Sequence, residues 1–372
     1  MTPGDGRAVV ERMLDEAGIR INGDRPCDPT VHHDRFYDRV LSEGSLALGE
    51  SYMDGWWDCD ALDRFFDRLF RAHLDEKARS PRNFWAAFLA GLRIPQSSRK
   101  AFEIGRRHYD TGNRLFQAML DKWMNYSCGY WKEANSLDEA QEAKLDLICR
   151  KMSITPGMRV LDIGCGWGGF AKYAAQRYGA EVTGITVSRQ QVEFAREFCR
   201  GLPVEIEYLD YRDLKGSFDR VVSIGMFEHV GVRTYRTFMR VVQHCLKPTG
   251  LFLLHTIGGN RSVDSIDQWM GKYIFPNSML PSVKQIATAT EDLFTIQDWH
   301  SFGEDYDRTL MAWHENFCRG WDRLRQLYDE RFFRMWRYYL LSCAGAFRAG
   351  RNQLWQIVFA HFDVPCSCPR IR

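Results

Sequence analysis

The stretch VLDIGCGWGG, residues 160–169, runs an apolar segment into a glycine-packed turn. Gly164, Gly166 and Gly169 fall in the G-x-G-x-x-G spacing, which lets a strand turn tightly into a helix beneath a bound ligand. The spacing alone leaves open whether that ligand is a dinucleotide, with its pyrophosphate, or a molecule without phosphates.

The residues around the turn narrow the choice. A dinucleotide site wants an acidic residue about 20 positions further on, at the tip of the second strand, for the ribose hydroxyl. Here the second strand reads EVTGIT (181–186). Glu181 stands at its start, and its tip is Thr186, followed by Ser188 and Gln191. Asp162, two residues before the first glycine, offers a carboxylate to an ammonium group. Backbone N–H groups at a helix N-terminus can receive a carboxylate. Ammonium plus carboxylate is an amino acid, and an amino acid joined to a nucleoside is S-adenosylmethionine.

Outward from the turn, the chain alternates. The pattern predicts helix 138–152, strand 158–163, helix 168–178, strand 181–186, helix 188–200, strands 204–209 and 219–224, helix 233–246 and strand 250–255. Such alternation predicts an α/β fold, a mostly parallel sheet with helices on both faces. Ligands in these sheets collect outside the carboxyl ends of the strands. Asp162–Gly166, Thr186, Asp210–Asp213, Gly225–His229 and His255–Gly258 occupy those ends. FDRVVSIGMFEHVG (218–231) and LKPTGLFLLHTIG (246–258) look like the fourth and fifth strand regions of a class I methyltransferase. Residues 260–300 read as an insertion, followed by helices rich in Arg and aromatics.

The 372 residues exceed one small core and predict two domains, or one with an extension. Residues 8–75 read as short helices, with Trp56 and Trp57 as small-domain core. The expected division is an N-terminal domain over 1–75, a linker over 76–100 and a catalytic domain over 101–372. Charge is uneven. Residues 1–80 carry 17 Asp and Glu against 11 Lys and Arg, whereas residues 319–372 carry 10 Arg against 4 acids. Residues 82–107 hold Arg82, Arg93, Arg99, Lys100, Arg106 and Arg107 against Glu103 alone. This asymmetry fits either an anionic surface as partner or solvated helix faces. RNFWAAFLAGLRI, inside the linker, fits an interfacial amphipathic helix and equally a helix docked on its own core. Eleven cysteines without a C-x-x-C pair fit reduced, cytosolic thiols better than disulfides or structural zinc. Residues 1–12 lack the apolar stretch of a signal peptide, and no stretch reaches the roughly 20 apolar residues of a membrane span.

Seven ordered motifs then converge: HYDTGNRLFQAMLDKWMNYSCGYWK (108–132), VLDIGCGWGG, MFEHVG, LLHTIG, KYIFPNSMLPS (272–282), YDRTLMAWHENF (306–317) and CAGAFRAG (343–350). Together they resemble the cyclopropane-fatty-acyl-phospholipid synthases. LSEGSLALGESYMDGWWDCD (41–60) extends the resemblance through the N-terminal part. FDVPCSCPRIR, at the C-terminus, is not family-typical. The resemblance implies a Rossmann-like class I methyltransferase domain plus a small, mainly helical N-terminal domain for lipid capture and dimerisation. It implies a homodimer lying peripherally on the inner, cytoplasmic face of an anionic phospholipid bilayer, and no nucleic-acid partner. The implied reaction is methylene transfer from S-adenosylmethionine to the cis double bond of an unsaturated phospholipid acyl chain. The expected docking segments are 82–107 and 319–351.

That reaction needs a dry pocket, stabilisation of a carbocation and a base that reaches a carbon-bound proton. By resemblance the base is a bound bicarbonate, held by Cys128, Glu228, His255, Tyr306 and the backbone at Ile257. A carboxylate can accept the anion's O–H, while a histidine, a phenol and a backbone N–H can donate to its oxygens. Each residue also has an ordinary reading: Cys128 as a buried hydrophobe, Glu228 in a first helical turn, His255 and Tyr306 as core. For the cofactor, the resemblance places Tyr126 and Ser127 at the methionine end and Gly164 and Gly166 in the turn. Thr186, Val187 and Gln191 fall around the ribose, and Asp210, Tyr211 and Arg212 near adenine. Cys343 is a further candidate, but the chemistry needs no covalent nucleophile and the apolar YYLLSCAGAF context favours packing. The alternatives are a C-methyltransferase giving methyl-branched fatty acids, methylation of a small amine, or a catalytically silent lipid-binding protein.

Overall fold

A computed structural model describes residues 3–77, 112–362 and 368–372. Beyond residue 77, the expected linker and its amphipathic segment lie outside the described residues. So do the basic cluster Arg99, Lys100, Arg106 and Arg107 and residues 363–367 of the tail motif. The chain divides into two compact units. One comprises Met1–Ile94, Asp264–Asn277 and Leu310–Asn352; the other comprises Pro95–Val263, Ser278–Thr309 and Gln353–Arg372.

The first unit is mainly helical. Its short strands β1 (Thr30–Val31) and β2 (Trp57–Asp58) pair antiparallel. Trp57 is fully buried, with its ring 5.1 Å from Tyr52 and 5.4 Å from Phe65. Trp56 instead stacks on His33 at 4.4 Å. The helix Leu62–Arg71 buries Leu62, Phe65, Phe66 and Leu69, an i, i+3, i+4, i+7 stripe.

The contiguous N-terminal domain expected over 1–75 is thus joined by two later segments. The helix Glu330–Arg348 comes so close that a Cβ at Gly345 would stand 2.7 Å from the Asp63 carbonyl oxygen and from Phe66 Cβ. Arg348 pairs with Asp63 at 2.5 Å, Arg351 with Asp75 at 2.6 Å, Arg331 with Asp54 at 3.0 Å and Arg334 with Asp58 at 2.7 Å. Lys272 and Tyr273 both donate to Glu50 Oε1. Much of the charge in 319–351 is therefore answered inside the unit by the acidic N-terminal residues. The asymmetry read as a sign of an external anionic partner is, for these arginines, internal complementarity.

The second unit is built on seven strands: β3 (Arg159–Ile163), β4 (Glu181–Thr186), β5 (Val204–Tyr208), β6 (Phe218–Ile224), β7 (Leu246–Gly259), β8 (Phe294–Ser301) and β9 (Asn352–His361). Their order is β5-β4-β3-β6-β7-β9-β8. The first five are parallel to their neighbours, as the alternation predicts. β8 and β9 pair antiparallel and were not expected. β8 lies within the predicted insertion. β9 carries the run LWQIVFA, buried at every position from Leu354 to Ala360, so it shows none of the two-residue alternation that marks a half-exposed strand.

The connections reverse direction at β3, which has β4 on one side and β6 on the other, and this opens a crevice at the strand ends. Ile224, the last residue of β6, stands opposite His255 of β7, so the loop leaving β6 starts beside His255, four residues before β7 ends at Gly259. Among the described residues, no helix is long and apolar enough to cross a membrane.

Candidate active site

The crevice holds a cavity of about 1160 Å³, its open mouth included. Tyr126, Ser127, Asp162, Gly164, Gly166, Thr186, Val187, Gln191, Asp210, Tyr211 and Arg212 all line it, so the eleven cofactor candidates surround one cavity. Gly164 has φ +84°, and a Cβ there would meet Met226 at 2.7 Å. Gly169 serves packing instead. A side chain there would collide with the carbonyl of Trp123, in the segment that forms the opposite wall. The N–H groups of Gly164 and Cys165 both donate to the Ile185 carbonyl at 3.0 Å. These two donors are engaged by the protein itself, which narrows the expectation that the turn's N–H groups receive a carboxylate.

Asp162, the last residue but one of β3, is fully buried. Burial pushes its carboxyl up to about 7, with the charge of Lys144 opposing. At the tip of β4, Thr186 Oγ1 donates to Gln191 Oε1 at 2.6 Å, and Ser188 caps the next helix through the Gln191 N–H. Asp210 receives the Arg212 guanidinium at 2.7 and 2.8 Å, fixing both at the far end of the cavity.

The residues expected to hold the anion fall into two connected groups. Ile257 N–H donates to Glu228 Oε1 at 2.6 Å, so the expected donor and acceptor bond each other. Glu228 Oε2 is buried without a hydrogen-bond partner. Burial pushes this carboxyl up to about 7, against the hydrogen bond from Ile257. His255, within β7, is also buried. Its Nδ1 faces Gln356 Nε2 at 3.3 Å, and its Nε2 has no partner. Burial, then the charges of Lys144 and Lys151, hold the imidazole well below its ordinary pKa and therefore neutral.

The other group is Cys128 with Tyr306. Thr309 Oγ1 accepts from Gly129 N–H at 3.0 Å and from Trp131 Nε1 at 2.8 Å, while Asp305 accepts from Trp131 N–H at 2.7 Å. This clamp ties residues 128–131 to the helical turn that carries the buried Tyr306. Burial raises the Cys128 thiol well above its ordinary pKa, and its Sγ donates to the Gly129 carbonyl, so it is a neutral group and no nucleophile. Cys343 belongs to the first unit, and burial pushes its thiol up to about 12, the state of an inert packing residue.

Residues 96–357 match the family described as mycolic acid cyclopropane synthetase. The chain belongs to that family. It is 54% identical over 355 residues, covering 95% of this chain and 92% of the relative, to the cyclopropane-fatty-acyl-phospholipid synthase of Escherichia coli K12. It is 33% identical over 342 residues, 86% of this chain and 79% of the relative, to a tuberculostearic acid methyltransferase of Mycobacterium tuberculosis. The structure of mycolic acid cyclopropane synthase CmaA1 complexed with SAH and CTAB aligns with a TM-score of 0.65 and 28% identity, over 72% of this chain and 99% of that one. This member of the synthetase family is thus an enzyme of the methyltransferase class with the class I S-adenosylmethionine methyltransferase fold.

Several residues around the site were not singled out by sequence reasoning. Gln141, Lys144, Thr309 and Gln356 are all completely buried. Gln141 and Lys144 fall in the helical phase of Leu137, Ala140, Leu145 and Ile148, and a polar residue on an apolar stripe was the available signal. Gln356 sits in the unrecognised strand β9.

Proposed function

We propose that this enzyme transfers a methylene unit from S-adenosylmethionine to the cis double bond of an unsaturated phospholipid acyl chain, giving a cyclopropane ring and S-adenosylhomocysteine. One observation carries the reading. Beside the cavity, the turn that follows β6 and the facing strand β7 bury an acceptor, Glu228 Oε2, and a ring nitrogen, His255 Nε2, neither with a partner. Buried polar atoms are ordinarily satisfied, so this pair suits a small ligand that both donates and accepts.

The balance of the reaction fixes what the residues must do. Both alkene carbons bond to the incoming carbon, while the alkene π bond, one C–S bond and one C–H bond break; the C–S electron pair leaves with sulfur and the proton goes to the base. Bicarbonate, held by Glu228, His255, Tyr306, Cys128 and the backbone near Ile257, would supply the base for the released proton. Glu228 as a carboxylate orients the anion by accepting its O–H, and neutral His255 donates without adding positive charge beside a sulfonium. Asp162 receives the cofactor's ammonium, and Thr186, Gln191, Asp210 and Arg212 hold its nucleoside. The same reading includes a homodimer, docking of residues 82–107 on an anionic bilayer and lipid capture by the N-terminal part.

The test is mass spectrometry of unsaturated phospholipid vesicles after incubation with the protein, S-adenosylmethionine and bicarbonate. Acyl chains heavier by one CH2 and resistant to mild hydrogenation support the reading. A gain of CH2 with retained unsaturation supports C-methylation instead, a second reading favoured by the similarity to a tuberculostearic acid methyltransferase. Unchanged lipid would reject both.

A further inference from the structure

Lysine is almost never fully buried unless it is paired, yet Lys144 has no exposed surface. Among the described residues, no carboxylate lies within ion-pair distance of its Nζ. The ammonium donates instead to two neutral groups, Asn125 Oδ1 at 3.1 Å and Ser127 Oγ at 2.9 Å. Both of these residues line the cavity, whereas Lys144 does not. One helical turn away, Gln141 Nε2 donates to the Ser127 carbonyl at 2.8 Å. The helix Leu137–Lys151 therefore straps the cavity wall from behind with two side chains, and one of them is charged.

We propose that Lys144 is a positioning residue for the amino-acid end of S-adenosylmethionine: it holds Asn125 and Ser127 in the cavity wall and supplies the positive charge under which Asp162 is a carboxylate when the cofactor's ammonium arrives. The inference rests on reading the cavity as the cofactor site. A neutral amide would make similar hydrogen bonds, so the retention of a buried cation needs a further reason, and Asp162 provides it. Its carboxyl is fully buried, and Lys144 is the group that favours its charged form. Burial in turn brings Lys144 down to about 8, so it is cationic below that pH. The other groups facing Asp162 are the thiols of Cys165 and Cys199, both raised and neutral. Those facing Lys144 are Asp121, Cys128 and His255. Asp121 is already bonded to the Trp123 and Asn125 N–H groups and to the Asn125 side chain. That leaves Asp162 as the carboxylate that both feels Lys144 and lines the cavity.

The test is calorimetric binding of S-adenosylhomocysteine to the full chain between pH 5.5 and 7.5. It is run with wild type, Lys144→Met, Lys144→Gln and Asp162→Asn. Wild-type affinity is expected to rise with pH as Asp162 ionises, and Asp162→Asn to lose that rise. In either Lys144 variant the rise moves up by about one pH unit, making binding about tenfold weaker at pH 6.5 than in wild type. A folded Lys144 variant with the wild-type pH dependence and only a uniform loss would overturn the proposal, leaving Lys144 as wall packing. A flat wild-type profile would overturn it whether or not the variants fold. No wild-type binding at any pH would remove the cofactor reading itself.

Discussion

Glu228 accepts a hydrogen bond from the Ile257 N–H at 2.6 Å through one oxygen and buries the other without a partner. Glu228, a buried carboxylate left half-bonded in this way, opposes stability when it is charged. Its carboxyl, raised to about 7, binds a proton in the folded chain that it has released in the unfolded chain between its ordinary value near 4.5 and 7. Stability therefore falls as pH rises through that window. Glu228→Gln is expected to melt higher than wild type at pH 8 and to converge with it near pH 4.5, in parallel thermal scans. Turnover should fall about a hundredfold and lose its rise near pH 7. A variant that melts lower at pH 8 would show that Glu228 is chiefly structural.

The amide of Gln356, oriented as in the structure, donates to His255 Nδ1, so the neutral ring carries its proton on Nε2. Gln356→Leu removes that preference while filling similar space. The expected result is about a tenfold loss of turnover, with the His255 nitrogen resonances shifting toward mixed tautomers. Unchanged nitrogen shifts would reject a tautomer-setting role.

The CAGAFRAG motif divides by residue. Cys343→Ser is expected to keep its turnover, since no step calls on the thiol. Gly345→Ala forces a methyl group against backbone atoms of Asp63 and Asp67 and is expected to cost about 1–3 kcal/mol in denaturant titration. Complete loss of activity in a folded Cys343→Ser protein with intact cofactor binding would reverse this assignment.

Two sets of basic residues should behave differently toward lipid. Charge reversal at Arg99, Lys100, Arg106 and Arg107 is expected to weaken sedimentation with anionic vesicles while leaving the melting temperature near wild type. Reversal at Arg334 and Arg348 is expected to lower the melting temperature, because both face aspartates within their own unit. Equal vesicle binding in the first variant would dismiss the 82–107 docking surface.

The parallel part of the sheet was legible because β3 to β7 are separated by helices, except at the short turn between β5 and β6, and each is followed within two residues by glycine or a polar residue. Asp162, Thr186 and Asp210 then followed from the rule that ligands sit at strand ends. β9 was not legible, since a strand buried on both faces loses its period. Lys144 was missed because a lone lysine on an apolar stripe reads as an exposed residue in a frayed pattern. The grouping of 310–352 with the N-terminal residues was written in the opposed charges of the two ends, whereas 264–277 carried no such signal. Charge content alone does not say whether its partner is solvent, lipid or the chain itself.

The pairing of Asp63 with Arg348 spans 285 residues. At ordinary rates of synthesis, about 5 to 20 residues per second, the helix carrying Asp63 leaves the ribosome roughly 15 to 60 seconds before its partner exists. Over that interval the stripe of Leu62, Phe65, Phe66 and Leu69 has no cover from the helix that later packs on it. The nascent N-terminal segment is thus a natural client for a chaperone that shields apolar helices. A ribosome stalled before residue 330 would present it in that uncovered form.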